Sequence, residues 1–146
     1  MGEMSKYDEG VKMLSFSNSK KEDFLAEQIV IEGLKDVPFE IKRIFYIFGK
    51  DNVGQVRGKH ANRKSEFVLF NISGKSKVKV IDEERGERVY ELNKPHEAVY
   101  LPRMVWKEMY DFTEDSVLMV LTNEYYDSQE YIRSFDDFVE EVKIKL

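Results

Sequence analysis

Two histidines, His60 and His96, are the only side chains in this 146-residue chain whose ordinary pKa places proton exchange near neutral pH. His60 sits in Arg57-Gly58-Lys59-His60-Ala61-Asn62, with Arg63 following, so cationic side chains flank it on both sides. A neutral imidazole accepts protons, and a guanidinium beside it is a fixed clamp for phosphate or carboxylate. That pairing suits an anionic substrate that loses a proton. The alternative reading of the same residues is a solvated loop just ahead of a strand. His96, in Lys94-Pro95-His96-Glu97, follows a turn, has no catalytic neighbour in sequence, and reads as an exposed loop residue.

Composition narrows the remaining chemistry. There is no cysteine, which excludes thiolate-bound zinc, iron–sulfur clusters and thiol nucleophiles. Lys and Arg number 23 against 28 Asp and Glu, a net charge of -5. Duplex nucleic acid is therefore not an expected partner, because that affinity rests on clustered cations. A small anionic ligand held by a local basic cluster remains open. No run approaches the roughly 18–20 apolar residues that span a bilayer, and the N-terminus lacks the apolar core of a signal peptide, so no membrane contact and a cytoplasmic location are expected.

The elements that must position His60 are mostly strands. From Ile41 onward, β-rich runs recur between turn residues: Ile41–Phe48, Ser65–Ile72, Ser76–Ile81, Glu87–Leu92, Ala98–Leu101, Val105–Tyr110 and Ser116–Thr122. This rhythm predicts an antiparallel sandwich or barrel. In Lys77-Val78-Lys79-Val80 one face is apolar and the other lysine, as a half-solvated strand requires. Ser73-Gly74-Lys75, Glu84-Arg85-Gly86 and Asn93-Lys94-Pro95 supply turns. Phe24–Glu32 reads as a further strand. Over Ser128–Val142 the apolar residues Ile132, Phe135, Phe138, Val139 and Val142 recur at three and four positions, which predicts a C-terminal helix capped by Ser128 or Asp127. One domain, 1–146, is expected, long enough to bury roughly two thirds of its unfolded surface. Residues 1–20 are expected to be frayed or docked on a partner.

The spacing Gly54, His60, Asn62, Glu66, Gly74 approximates the first motif of the cupins, small β-barrels that often hold a metal through three histidines and a glutamate. Here Asn62 stands where the second histidine would, and Arg103–Tyr110 contains no histidine of the second motif. His60 and Glu66 alone are too few for a transition metal, so the motif points to a cupin without metal or other cofactor. Phe48, Phe67 and Phe70 read as core. Trp106 is either packing or a platform for a base or sugar ring at the barrel mouth.

Four segments carry a closer resemblance: Pro38-Phe39-Glu40-Ile41-Lys42-Arg43, Arg57-Gly58-Lys59-His60-Ala61, Trp106-Lys107-Glu108-Met109-Tyr110-Asp111-Phe112, and Tyr125-Tyr126-Asp127 with Tyr131-Ile132-Arg133. In this order and spacing the chain resembles the cupin-class nucleotide-sugar 3,4-ketoisomerases from about Asp23 to Phe138. The resemblance implies a homodimer of all-β jelly-roll subunits, each a double-stranded β-helix with the C-terminal helix added. It also implies an isomerase that moves the ketone of a dTDP-4-keto-6-deoxyhexose from C4 to C3, for aminated deoxysugars of surface polysaccharide, such as lipopolysaccharide O-antigen, or of antibiotics. Related dTDP-sugar 3,5-epimerases share the Arg-Gly-x-His element, whose histidine removes the proton beside the ketone. The implied roles are His60 as base, Arg57 as diphosphate or enediolate contact, and Asn62, Tyr46 and Trp106 as the lining of the sugar-nucleotide pocket.

Three residues depart from that family's pattern. Asn62 replaces the second histidine of His-Ala-His, Phe45-Tyr46 replaces a pair of tyrosines, and Lys107 replaces a histidine after the tryptophan. An amide is not a base at any ordinary pH. Two other functions therefore stand beside the isomerase: a non-catalytic nucleotide-sugar-binding cupin, and an epimerase that leaves the ketone at C4.

Overall fold

The computed structural model describes residues 10–18, 27–83 and 86–144. Among these residues ten strands run in order: β1 (Lys12–Ser15), β2 (Arg43–Phe48), β3 (Arg57–Asn62), β4 (Phe67–Ser73), β5 (Ser76–Asp82), β6 (Gly86–Leu92), β7 (Glu97–Leu101), β8 (Trp106–Tyr110), β9 (Val117–Thr122) and β10 (Tyr131–Ile132). Helix α1 (Phe135–Ile144) closes the chain, and short 3-10 turns occupy Lys50–Asn52 and Ser128–Glu130. The strands form two antiparallel five-stranded sheets, in the order β1-β7-β4-β9-β2 and β10-β3-β8-β5-β6. This is the cupin-like jelly roll that the strand rhythm and the resemblance lead one to expect.

Alternation decides what fills the space between the sheets. On β5, Val78 and Val80 are fully buried, while Lys77 and Lys79 face out and pair with Asp111 and Glu108. Val78 and Val80 meet Leu69, Val99, Leu101, Met109, Leu118 and Val120 in the central core. A second apolar layer covers the outer face of the first sheet, where Val37 and Phe39 of the incoming chain pack on Val68, Phe70 and Tyr100. A third lies outside the second sheet, where α1 sets Phe138 against Ala61, Trp106 and Ile132. No helix among the described residues is long and apolar enough to cross a membrane.

Several expectations need correction. Of the strand expected over Phe24–Glu32, residues 24–26 lie outside the described residues, and the rest makes only isolated bridges, Asn18 with Ile29 and Gly33 with Val37. Its apolar residues Ile29 and Ile31 serve instead as a strap over the outer face of the first sheet. Residues 1–9 and 19–20 also lie outside the described set, but Lys12–Ser15 pairs with β7 as an edge strand. The C-terminal helix begins later than Ser128. Asp127 caps the 3-10 turn by accepting from the Gln129 amide, Tyr131–Ile132 pairs with β3, and Ser134 Oγ accepts from the Asp137 amide at the start of α1. The threefold and fourfold apolar spacing was shared between a strand residue, Ile132, and the helix proper, so the period alone ran the two together.

Candidate active site

The residues expected to form a loop around His60 are strand β3, paired with β8 on one side and β10 on the other. Arg57 lies opposite Met109, Gly58 opposite Glu108, and His60 opposite Lys107, with the register shifting between Gly58 and His60. In a regular strand Arg57 and His60, three apart, would point to opposite faces. The extra residue, Lys59, returns them to the same face. Gly58 at φ 86° and Lys59 at φ 56° make this bulge. A Cβ on Gly58 would sit 3.0 Å from the Lys107 carbonyl oxygen and 3.1 Å from Met109 Sδ, so glycine is required by contact as well as by φ.

The face so aligned lines a cavity of about 170 Å³ between the sheets, walled by Phe45, Ile47, Phe67, Leu69, Met109 and Val120 on its apolar side. Arg57, His60, Lys107 and Tyr131 supply its polar side. His60 is held against the Tyr131 ring at 4.8 Å between centroids, and its Nδ1 is buried without a hydrogen-bond partner. Burial, with the nearby charges of Lys107 and Arg133, pushes the His60 imidazole down to about 3, partly offset by a backbone hydrogen bond at Gly58. The ring is thus neutral at pH 7, as a base must be.

Lys107 is 3% exposed, and its Nζ donates to Asn62 Oδ1 at 3.0 Å and lies 4.3 Å from the centre of the Phe67 ring. Burial lowers this amine to about 7, against a raising influence from Glu130. Glu130 is itself buried and accepts from the Lys64 and Ser65 amides and from Ser65 Oγ. The 3-10 turn is therefore anchored to the end of β3. Arg133 lies over the Tyr131 ring at 4.7 Å, and Tyr126 stands 5.8 Å from the same ring.

The residues singled out from sequence divide. His60 and Arg57 come together on the cavity wall, with Arg57 also donating to Asn52 Oδ1 at 3.3 Å. Asn62 is buried one step behind, touching Lys107, and its Nδ2 has no partner. Tyr46 is not on the cavity: it alternates with the inward Phe45 and Ile47, is 57% exposed on the outer face, and stacks on Phe48. Trp106 is core, edge-on to Phe135 and bonded through Nε1 to Glu108. Arg63 ties β3 to α1 through Glu141 and to the Gln129 carbonyl. His96 is half-buried in the turn before β7, where its carbonyl accepts from the Phe16 amide. Glu66 faces away from His60, bonded to Tyr100 and Asn123. Among the described residues, no group of three His, Asp or Glu side chains gathers.

Sequence reasoning gave no site role to Tyr131 or Arg133, although both stand in a segment that carried the resemblance. Lys107 was noted only as a departure. The signal that marks it is its place beside the buried Met109 on a strand whose alternate residues point inward.

Comparison with known proteins shows the family. Residues 9–143 match the family model described as FdtA, WxcM-like, C-terminal. The TDP-4-oxo-6-deoxy-alpha-D-glucose-3,4-oxoisomerase of Aneurinibacillus thermoaerophilus is 41% identical over 111 residues, 75% of this chain and 78% of that one. The crystal structure of QdtA, a sugar 3,4-ketoisomerase from Thermoanaerobacterium thermosaccharolyticum in complex with TDP, superposes with a TM-score of 0.85 at 36% identity, covering 94% of this chain and 97% of that one. WlaRA, a TDP-fucose-3,4-ketoisomerase from Campylobacter jejuni, gives 0.81 at 35%, covering 90% and 94%. This chain belongs to the FdtA, WxcM-like family of sugar 3,4-ketoisomerases.

Proposed function

We propose that the protein moves the ketone of a dTDP-linked 4-keto-6-deoxyhexose from C4 to C3 through an enediolate, with His60 as the base. The observation that carries this reading is a neutral, buried imidazole facing a cavity whose other charged groups are cations, Arg57 and Lys107. The C3 proton is acidified by the neighbouring ketone, and the enediolate left by its removal is an anion. Fixed positive charge in a dry site stabilises that anion without reorganising. His60 lines the cavity with its ring neutral, which places the imidazole to receive the proton. A bound diphosphate or a developing enediolate raises the affinity of the imidazole for a proton, because negative charge favours its charged form. Transfer of the C3 hydroxyl proton toward O4 and protonation at C4 complete the shift, with no net change in atoms or electrons.

The cavity is smaller than the roughly 300–1,000 Å³ of sites that engulf a drug-sized ligand. It takes the sugar ring, and the nucleotide lies across the rim, where Arg57, Tyr126 and Arg133 offer cations and aromatic faces. The product is an α-hydroxy ketone suited to amination in deoxyaminosugar synthesis. The test is carbon NMR on substrate labelled at C4: the labelled carbon is expected to move from the ketone region to the carbinol region. An inert substrate at high protein concentration would leave only binding, and inversion at a carbon beside a ketone that stays at C4 would make the protein an epimerase.

We assign homodimer formation to the outer face of the first sheet. Ile44, Tyr46 and Phe48 form a row on edge strand β2, each more than half exposed, continuous with the apolar layer around Met119. Such rows on an edge strand favour association. Sedimentation at micromolar concentration is expected to give a dimer, and a monomer would refute the assignment.

A further inference from the structure

The isomerisation needs a second proton transfer, to C4, and a second acid on the same cavity wall can make it while His60 still holds the proton from C3. Lys107 stands directly across from His60 in the β3–β8 register, so their Cβ atoms are about 4.5–5.5 Å apart. Its side chain is buried, lines the same cavity, and has one hydrogen-bond acceptor in the structure, Asn62 Oδ1. An ammonium has three N–H donors. The others are left to the Phe67 face and the cavity.

Resting on the isomerase reading, we propose that Lys107 is a second catalytic residue, whose ammonium delivers the proton to C4 after His60 has taken the proton from C3. The electrostatics assign these roles. Lys107 at about 7 holds the pair's one proton while its charge keeps His60 neutral, so acid and base are separated by environment. The other charged or titratable groups around the pair are Arg57 on β3, Tyr131 on β10, Arg133 beyond it and Glu130 in the 3-10 turn. The facing residues of β2, β4 and β9 are apolar: Phe45, Ile47, Phe67, Leu69 and Val120.

The steps balance. His60 breaks the C3–H bond and becomes imidazolium, and the electron pair forms the enediolate. One ammonium proton forms the C4–H bond while the C3 hydroxyl proton passes to O4, leaving the neutral amine and a ketone at C3. The imidazolium then returns its proton to that amine, downhill, and the pair is reset. Addition of the amine to the ketone is a competing route, but it leads nowhere. A ketimine at C4 that loses the C3 proton and is reprotonated at C4 becomes a 4-amino-3-ketone, with nitrogen bound to C4 by a single bond that water does not release. Between addition to the ketone and proton transfer, only proton transfer allows this lysine to turn over. Asn62 acts as a positioning residue through its contact with Nζ.

The experiment compares wild type, Lys107→Gln, Lys107→Arg and His60→Asn on dTDP-4-keto-6-deoxyglucose in deuterated water at pH 7. The Gln variant is expected to exchange C3–H for deuterium in recovered substrate while product formation falls at least 100-fold, within the usual span of general acid catalysis. The Arg variant, charged but unable to release a proton, is expected to do the same. The His60→Asn variant loses both exchange and product. Product at the wild-type rate from either lysine variant, or C3 exchange lost along with product in a folded Gln variant, would overturn the assignment. A wild type that forms no product defeats the isomerase reading instead. The lysine is then judged without substrate, from the ε-carbon NMR titration of the free protein. A midpoint near 7 is expected, and one near 10.5 would overturn the proposal.

Discussion

Replacing Lys107 by methionine exchanges a buried amine for an apolar side chain of similar length, and the structure sets both the size and the pH profile of the effect. In the unfolded chain the amine titrates at 10.5, and in the fold at about 7, because burial penalises the ammonium. The folded value lies below the unfolded one, so the unfolded state binds more protons across that interval and stability rises with pH through it. Well below pH 7 the penalty is about 5 kcal/mol, from 3.5 units at 1.36 kcal/mol each. By pH 10 most of it is gone. The substitution also strips Asn62 Oδ1 of its donor, a cost of about 1–3 kcal/mol that does not vary with pH. The methionine variant is therefore expected to be more stable than wild type by about 2–4 kcal/mol at pH 6, an advantage that shrinks by about 4 kcal/mol on going to pH 10. Urea denaturation of both proteins from pH 6 to pH 10 measures this. Lysines whose affinity for protons the fold raises, such as Lys77 beside Asp111, lose stability at high pH in both proteins and cancel in the difference. Parallel stability curves would refute the claim that this amine is held near neutrality by burial.

Gly58→Ala is expected to cost about 2–3 kcal/mol, from φ 86° and a methyl 3.0 Å from the Lys107 carbonyl, and to abolish TDP binding by calorimetry as the bulge shifts. Glu130→Ala leaves the Ser65 amide and hydroxyl buried without their acceptor, with an expected loss of about 3 kcal/mol in urea denaturation. The same change removes a group that favours the Lys107 ammonium, so the lysine midpoint should move further down by NMR. For His60 the folded value, about 3, again lies below the unfolded 6.5, so wild type gains stability as pH rises from 3 to 6.5. Guanidinium denaturation of His60→Gln across that window is expected to show a flatter curve than wild type.

What the sequence made legible follows from where side chains alternate. The half-solvated strand of Val78 and Val80 and the buried runs of β4 and β7 were readable because apolar residues mark one or both faces. Strand β3 was not. Its inward positions are Arg57 and His60, Gly58 lines the same cavity, and a bulge at Lys59 breaks the period, so it matched no strand template. A strand that carries a site gives up the pattern by which strands are recognised. The aromatics divided for a similar reason. Trp106 and Tyr46 flank inward residues on β8 and β2, and period 2 sends both away from the cavity, one under α1 and one to the open face. Tyr131 reaches the cavity from a two-residue strand too short for any periodicity to mark. Lys107 was hidden by its type, since a lysine in a strand ordinarily marks the solvated face.

The central claim is that the His60 cavity enolises a 4-keto sugar and re-forms the ketone at C3. Proton NMR of dTDP-4-keto-6-deoxyglucose with wild type in deuterated water at pH 7, beside His60→Asn, tests it most directly. The account predicts loss of the C3 proton, arrival of solvent deuterium at C4 and migration of the ketone with wild type, and none of these with the variant. Retention of the C3 proton by wild type, or equal turnover by His60→Asn, would contradict it.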